Sequence, residues 1–225
     1  MAAKSTSKSN GKAVTDPVRQ SIEAAMILAA ERPWSEVGLR DVAEAADLPL
    51  GEVRRHFSNR SDILLALARQ ADADVLADGT DDLLDETVRD ALFDLLMRRF
   101  DALTPFKPGL KAILTEARQK PQLILPVLPQ LGRSMSRMLE AAGEDPCGRG
   151  VQSKIAASGL IWLTVMRKWL DDDSEDQAQT MAALDKALGQ AEILANSFND
   201  GPLSFIRSML TALRSGKTDD GAQAS

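Results

Sequence analysis

Tyrosine is absent from this 225-residue chain, and Phe and Trp bring the aromatic share to only 4%. Cysteine occurs once, at Cys147, and histidine once, at His56. A single Cys excludes an internal disulfide and fits a reducing compartment. One Cys with one His also excludes a Cys/His zinc cluster and leaves little room for a Cys–His catalytic pair. Extended β-branched runs are missing, while Ala, Leu, Asp, Arg and Gln abound, so the expected fold class is all-α. The most apolar run, residues 155–166, falls short of the ~20 residues of a membrane-spanning helix. The first residues, MAAKSTSKSNGK, have no apolar core of the kind a secretory signal needs. A cytoplasmic, soluble chain is expected. Gly-rich phosphate loops, nucleophile elbows and paired His ligands are all lacking. No enzyme, cofactor or metal site is therefore expected.

What is present is 44% hydrophobic residues, enough for a sizeable core, and a net charge of −6. The charge is uneven. Residues 1–70 hold ten Lys/Arg against nine Asp/Glu, and the remainder 17 against 24. The sign suits an N-terminal nucleic-acid module on an acidic body.

The richest segment is 39–57, LRDVAEAADLPLGEVRRHF. Leu39, Val42, Ala43 and Ala46 share one helical face, and Val53 and Phe57 share another after a corner at Asp47-Leu48-Pro49. This is a helix-turn-helix pattern. Before it, Asp16-Pro17 supplies an N-cap and a first-turn proline for a helix that buries Ile22, Ala25, Met26 and Ala29 and stops at Pro33. Trp34 is expected to close the small core. After it, Ser61 is expected to cap a helix from Asp62 to about Ala77, burying Ile63, Leu67 and Val75.

A long two-sided helix is expected over 83–103, with Leu84, Val88, Leu92 and Leu95 on one side and Phe93, Met97 and Phe100 on the other. Pro105, Pro108, Pro121, Pro126 and Pro129 are expected to cut the middle into short pieces. A helix resumes over 131–142 and ends at Gly143. Two long helices follow. The first, 151–170, carries Ile155, Trp162, Met166 and Trp169 on one face. The second, 174–198, starts on a Ser174-Glu175-Asp176-Gln177 capping box and has a stripe of Met181, Leu184, Leu188 and Ile193. Asp171-Asp172-Asp173 between them reads as a solvated loop rather than a metal site. Beyond Asn199-Asp200-Gly201-Pro202, residues 203–214 read as a short amphipathic helix with Arg207 and Arg214 off its apolar face. Tails are expected at 1–15 and 216–225.

On the string Leu39-Arg40-Asp41-Val42-Ala43-Glu44-Ala45-Ala46, then Gly51, His56-Phe57, Asn59-Arg60 and Leu64, the first 75 or so residues resemble the TetR family of bacterial regulators. That resemblance implies a three-helix DNA-binding domain, here 16–60, a helical ligand-binding and dimerisation domain, here 61–198, and a homodimer paired through 151–198. It implies a double-stranded DNA operator as partner, with Arg40, Gly51, Glu52, Arg54, Arg55, His56 and Arg60 as contact residues. Gly51, Glu52 and Arg55 project away from Val53 and Phe57. Pro49, Leu50 and Glu52 depart from the polar or basic residues common in the family.

The later part of the chain also resembles the lipid-binding accessory protein of ubiquinone biosynthesis, itself TetR-like in fold. Arg89 with Arg99, the segment Leu170-Asp171-Asp172-Asp173-Ser174-x-Asp176, Thr180 and Leu184-Asp185 carry that likeness. It implies an apolar ligand, acyl or isoprenoid, and peripheral membrane contact through 203–214. Packing of that helix on its own domain or over a dimer groove are the other placements open to it. The candidate ligand-binding residues are Phe93, Met97, Phe100, Ile113, Trp162, Met166 and Trp169. Two functional readings follow: a TetR-like transcriptional regulator, in all expectation a repressor, controlled by an apolar small ligand, and a lipid-binding accessory protein with little DNA binding.

Overall fold

The computed structural model describes residues 16–197 apart from 78, 80–82 and 84. Leu84 of the expected long helix, the 203–214 helix and both tails lie outside the described residues. The described residues are helical, with no strand among them.

The first helix, α1 (Pro17–Glu31), opens where its cap places it: the Asp16 carboxylate accepts the Val18 N–H at 2.9 Å. Ile22, Ala25, Met26 and Ala29 are buried on it. Trp34 lies in a short 3-10 turn at 1% exposure and closes the core of the head. Helix α2 (Leu39–Ala45) has no side-chain cap at Gly38, so Asp41 reaches back and accepts the Gly38 N–H at 2.8 Å. The corner before α3 (Leu50–His56) needs one left-handed residue, and Asp47 supplies it at φ 52°. Val53 and Phe57 anchor α3 to the core.

Helix α4 (Arg60–Ala77) begins two residues earlier than expected, and its cap is Asn59, not Ser61. The Asn59 amide oxygen accepts the Ser61 and Asp62 N–H groups, while Asp62 accepts those of Ser58 and Asn59. The exchange makes a capping box, which a lone Ser cannot match. Helix α5 (Val88–Leu103) starts five residues later than the apolar pattern suggests. The Thr87 hydroxyl accepts the Asp90 N–H and fixes the start, and Leu83 is buried without belonging to the helix.

The prolines divide the middle into short pieces as expected, with Pro105, Pro121 and Pro126 in three-residue 3-10 turns. Pro108 and Pro129 sit in first turns, where no intrahelical N–H is lost. They open α6 (Lys107–Ala117) and α7 (Leu128–Ala141), and Gly143 at φ 87° ends the latter. Helices α8 (Val151–Asp171) and α9 (Ala178–Ser197) close the described fold.

The junction between α8 and α9 corrects two expectations. Asp172 is not a solvated loop residue: at 1% exposure it accepts the N–H and hydroxyl of both Ser174 and Thr180. Burial pushes its carboxyl up, but these four donors outweigh burial and hold it below the usual carboxylate range. Residues 174–177 precede α9 rather than start it, because Gln177 turns left-handed at φ 51°. On α9, Leu184 and Leu188 are buried, whereas Met181 and Ile193 stand 41% and 67% exposed in the single chain.

The head (α1–α3) and the body share one continuous core. The broadest packing between them runs from α1 onto α6.

Candidate functional site

Two places concentrate chemistry: the outer face of the helix-turn-helix and a cavity inside the body. On α3 the inward residues Val53 and Phe57 leave Gly51, Arg54, Arg55 and His56 exposed. Glu52 lies between them half-buried and holds Arg55 in an ion pair, with His56 Nε2 at 3.5 Å from its other oxygen. Arg54 and Arg40 make no ion pair or hydrogen bond among the described residues, and both are exposed. A Cβ built on Gly51 meets nothing within 4 Å, so the outer surface of α3 is open there. Arg60 has a different setting. Its guanidinium donates to the Ser35 carbonyl at 2.8 Å and also reaches Val37, tying the start of α4 to the turn after α1.

The cavity encloses about 130 Å³ between α4, α5, α6, α7 and α8. Ile113, Trp162 and Met166 line it, as the sequence suggests. Phe93, Met97, Phe100 and Trp169 do not. Phe100 is fully buried, stacked on Trp162 at 4.1 Å with Trp169 at 5.3 Å beyond, so this pair builds the wall's foundation. Phe93 faces a separate groove beside Arg89 and Asp185. The rest of the lining comes from residues the sequence reading left aside, chiefly leucines of α4, α6 and α7, with Arg99 the one charged member.

Arg99 was legible only as half of a resemblance. It is 3% exposed, pairs through Nε with Asp72 at 2.9 Å, and lies 4.3 Å over the Trp162 ring. Asp72, also buried, accepts further bonds from Ser134 at 2.6 Å and Arg137 at 3.2 Å. Arg89 does unrelated work at the surface, pairing with Asp90 and Asp185. Among the described residues, no group of three or more His, Cys, Asp or Glu side chains converges, and no helix is long and apolar enough to cross a membrane.

Helix α6 connects the two places. Leu110, Ile113 and Leu114 line the cavity, while Gly109 abuts Met26 of α1 and Glu116 accepts the N–H and hydroxyl of Ser35 in the head. Burial raises the Glu116 carboxyl, but Lys120 and Ser35 outweigh it and bring it from 4.5 down to about 2. A folded value below the unfolded one favours the fold above pH 4.5, and that support is lost as pH falls toward 2. Replacing Glu116 with Gln is expected to cost ~1–2 kcal/mol at pH 7 and distinctly less at pH 3, read from urea midpoints at the two pH values.

Residues 22–67 match the family model for bacterial regulatory proteins of the tetR family. Two solved structures are similar over most of the chain. The TetR transcriptional regulator from Nitrosomonas europaea ATCC 19718 has a TM-score of 0.62 and 22% identity, over 78% of this chain and 98% of that one. A TetR transcriptional regulator from Rhodococcus sp. RHA1 has a TM-score of 0.52 and 19% identity, over 76% and 93%. No curated protein matches the chain significantly. At these identities the structural likeness is one of fold, and the helix-turn-helix carries the family signal. Residues 22–67 therefore form a domain of the tetR type, and the fold of the chain is similar to that of solved TetR transcriptional regulators.

Proposed function

We propose that the chain is a homodimeric, operator-binding transcriptional repressor whose DNA affinity is set by a small, largely apolar ligand in the body. TetR regulators bind operator DNA and act as dimers. The observation that carries the reading is the α3 surface: Val53 and Phe57 hold the helix to the core while Gly51, Arg54, Arg55 and His56 face outward. In a major groove, Gly51 permits close approach, Arg55 reaches base edges, and Arg54 and Arg40 meet phosphates on the flanks. Arg60 serves chiefly to hold the head together. Pairing through the α8–α9 region would cover the exposed Met181 and Ile193.

Ligand control follows from α6, whose one side faces the cavity and whose adjacent side bears on the head. A ligand that favours one position of α6 favours one spacing of the two heads, and operator affinity changes by that difference. The accessory-protein reading gains no comparable support: the Arg89 and Asp172 that suggested it have local structural partners.

The test is binding to the DNA upstream of the chain's own gene, measured by gel shift and by anisotropy across a salt series. A sequence-specific complex is expected, and none at low salt from folded dimer would overturn the reading. Glu52→Gln releases Arg55, so affinity should rise ~3–10-fold with a salt slope steeper by up to about one. An unchanged affinity and slope would place Arg55 off the DNA.

A further inference from the structure

We propose that the body cavity is a site for a small apolar carboxylate, with Arg99 as the group that holds the acid. The inference rests on the ligand-controlled reading above and names the ligand's chemistry.

The cavity wall is apolar except at the Arg99 guanidinium and the indole of Trp162. Leucines of α4, α6 and α7, together with Ile113 and Met166, offer no hydrogen-bonding side chain, while the Arg99 guanidinium lies at the surface of the same space. Arg99 Nε donates to Asp72, and one terminal nitrogen reaches the Ser134 hydroxyl only at 3.5 Å. Its other terminal nitrogen, Nη1, has no partner among the described residues. An arginine is a fork of five N–H donors, and a buried one left half-used is an anion receptor in waiting.

Charge points the same way. Asp72 is shared by two guanidiniums, those of Arg99 and Arg137, so the cluster carries one surplus positive charge. No second carboxylate among the described residues pairs with either arginine. A ligand carboxylate at Arg99 Nη1 supplies the missing negative charge where the low dielectric makes it most effective.

Size fixes the rest of the ligand. A cavity of about 130 Å³ is close to the roughly 150 Å³ that holds a benzene ring. The body of the ligand is thus a single ring or a short acyl chain, laid against Trp162. Leu114, Ile124, Leu128, Leu163 and Met166 also line an adjoining groove, the side from which a ligand would enter. Lys111, Arg118 and Arg167 stand on that groove, and the last two make no side-chain ion pair among the described residues. Such a mouth draws anions inward.

The experiment titrates the full chain with benzoate and hexanoate, and with the neutral isosteres benzamide and hexanamide, by calorimetry and tryptophan fluorescence. Each acid is expected to bind at least ~10-fold more tightly than its amide, the scale of a hydrogen bond to a charged group. The double variant Asp72→Asn/Arg99→Gln keeps a neutral hydrogen-bonding pair and should erase the preference. Equal binding of acid and amide, no binding of any of the four probes, or a preference that survives in the double variant overturns the proposal. If the double variant does not fold, the comparison in the natural chain decides alone. Gel shifts of ligand-free protein separate the two readings: loss of operator binding sinks the regulator and leaves a carboxylate site standing, and the converse result does the reverse.

Discussion

Replacing Asp72 with Ala is expected to destabilise the protein by ~3–5 kcal/mol, the cost of leaving a buried charge without its partner. Asp72 is 1% exposed and takes three donors: Arg99 at 2.9 Å, Ser134 at 2.6 Å and Arg137 at 3.2 Å. Arg137 can turn to water, since its side chain is 46% exposed, but Arg99 cannot. Burial already works against the Arg99 charge, and Asp72 is what opposes that burial. Against a typical stability of ~5–15 kcal/mol the loss is large. It corresponds to a fall in Tm of roughly 10 °C for a chain of this size.

A control lies in the same helix. Arg89 also pairs with an aspartate, Asp185, but their side chains are 31% and 63% exposed. Asp185→Ala should cost under ~1 kcal/mol. The double variant Asp72→Asn/Arg99→Gln should recover more than half of the loss caused by Asp72→Ala. Calorimetric scans of the four proteins check the series, and equal losses from Asp72→Ala and Asp185→Ala would refute the buried-charge account.

Local chemistry made the head legible. Asp16-Pro17 fixed where α1 begins, the corner demanded one residue able to turn left-handed at Asp47, and the spacing of Val53 and Phe57 fixed the inner face of α3. Each of these signals is settled within one or two helical turns. Where two local signals compete, the stronger cap wins. Thr87 overrode an apolar pattern that began at residue 83, Asn59 with Asp62 overrode Ser61, and Gln177 overrode the Ser174 box. The prolines were informative because a residue that breaks a helix interior also suits a first turn, so each of them sits at the start of a new piece.

The body's site was less legible because a two-sided helix does not announce which side meets a cavity. Phe100 and Trp169 lie on apolar stripes and are spent on the stack that supports Trp162. The signal that was missed is charge in the wrong place. Asp72 shares its stripe on α4 with Leu64, Leu67 and Val75, and Arg99 shares its own on α5 with Leu92, Leu95, Leu96 and Leu103. Opposite charges set in two apolar stripes point to a buried pair, but only the packing of α4 on α5 brings them together. Glu52 is a milder case: the sequence marks an acid on the groove face, and the structure adds that it occupies Arg55.

The second large effect is expected at Gly109, where a single methyl group should uncouple the head from the body. A Cβ at this position would stand 2.4 Å from the Met26 carbonyl oxygen and 3.1 Å from the Met26 carbonyl carbon and Cα. All three are backbone atoms of α1, so no rotamer change can make room. Gly109→Ala must push α1 and α6 apart, at a cost of ~1–3 kcal/mol. The displacement is passed to the head as a rigid unit, because α1 packs on α2, α3 and α4 through fully buried residues such as Ile22 and Val53. It also strains the bonds that Glu116 makes to Ser35 from the same helix. Operator affinity should therefore fall at least ~10-fold, since a shift of a few tenths of an ångström at the joint grows along the lever to α3. Helix content should change little. Gly132 on α7 provides the comparison: a Cβ there meets nothing within 4 Å, so Gly132→Ala should gain ~0.5–1 kcal/mol from helix propensity and leave DNA binding intact. Paired urea melts and gel shifts of the two variants decide the point. If Gly109→Ala matches the natural chain in both stability and operator affinity, then the contact of α6 with α1 is not the joint through which the body positions the DNA-binding head.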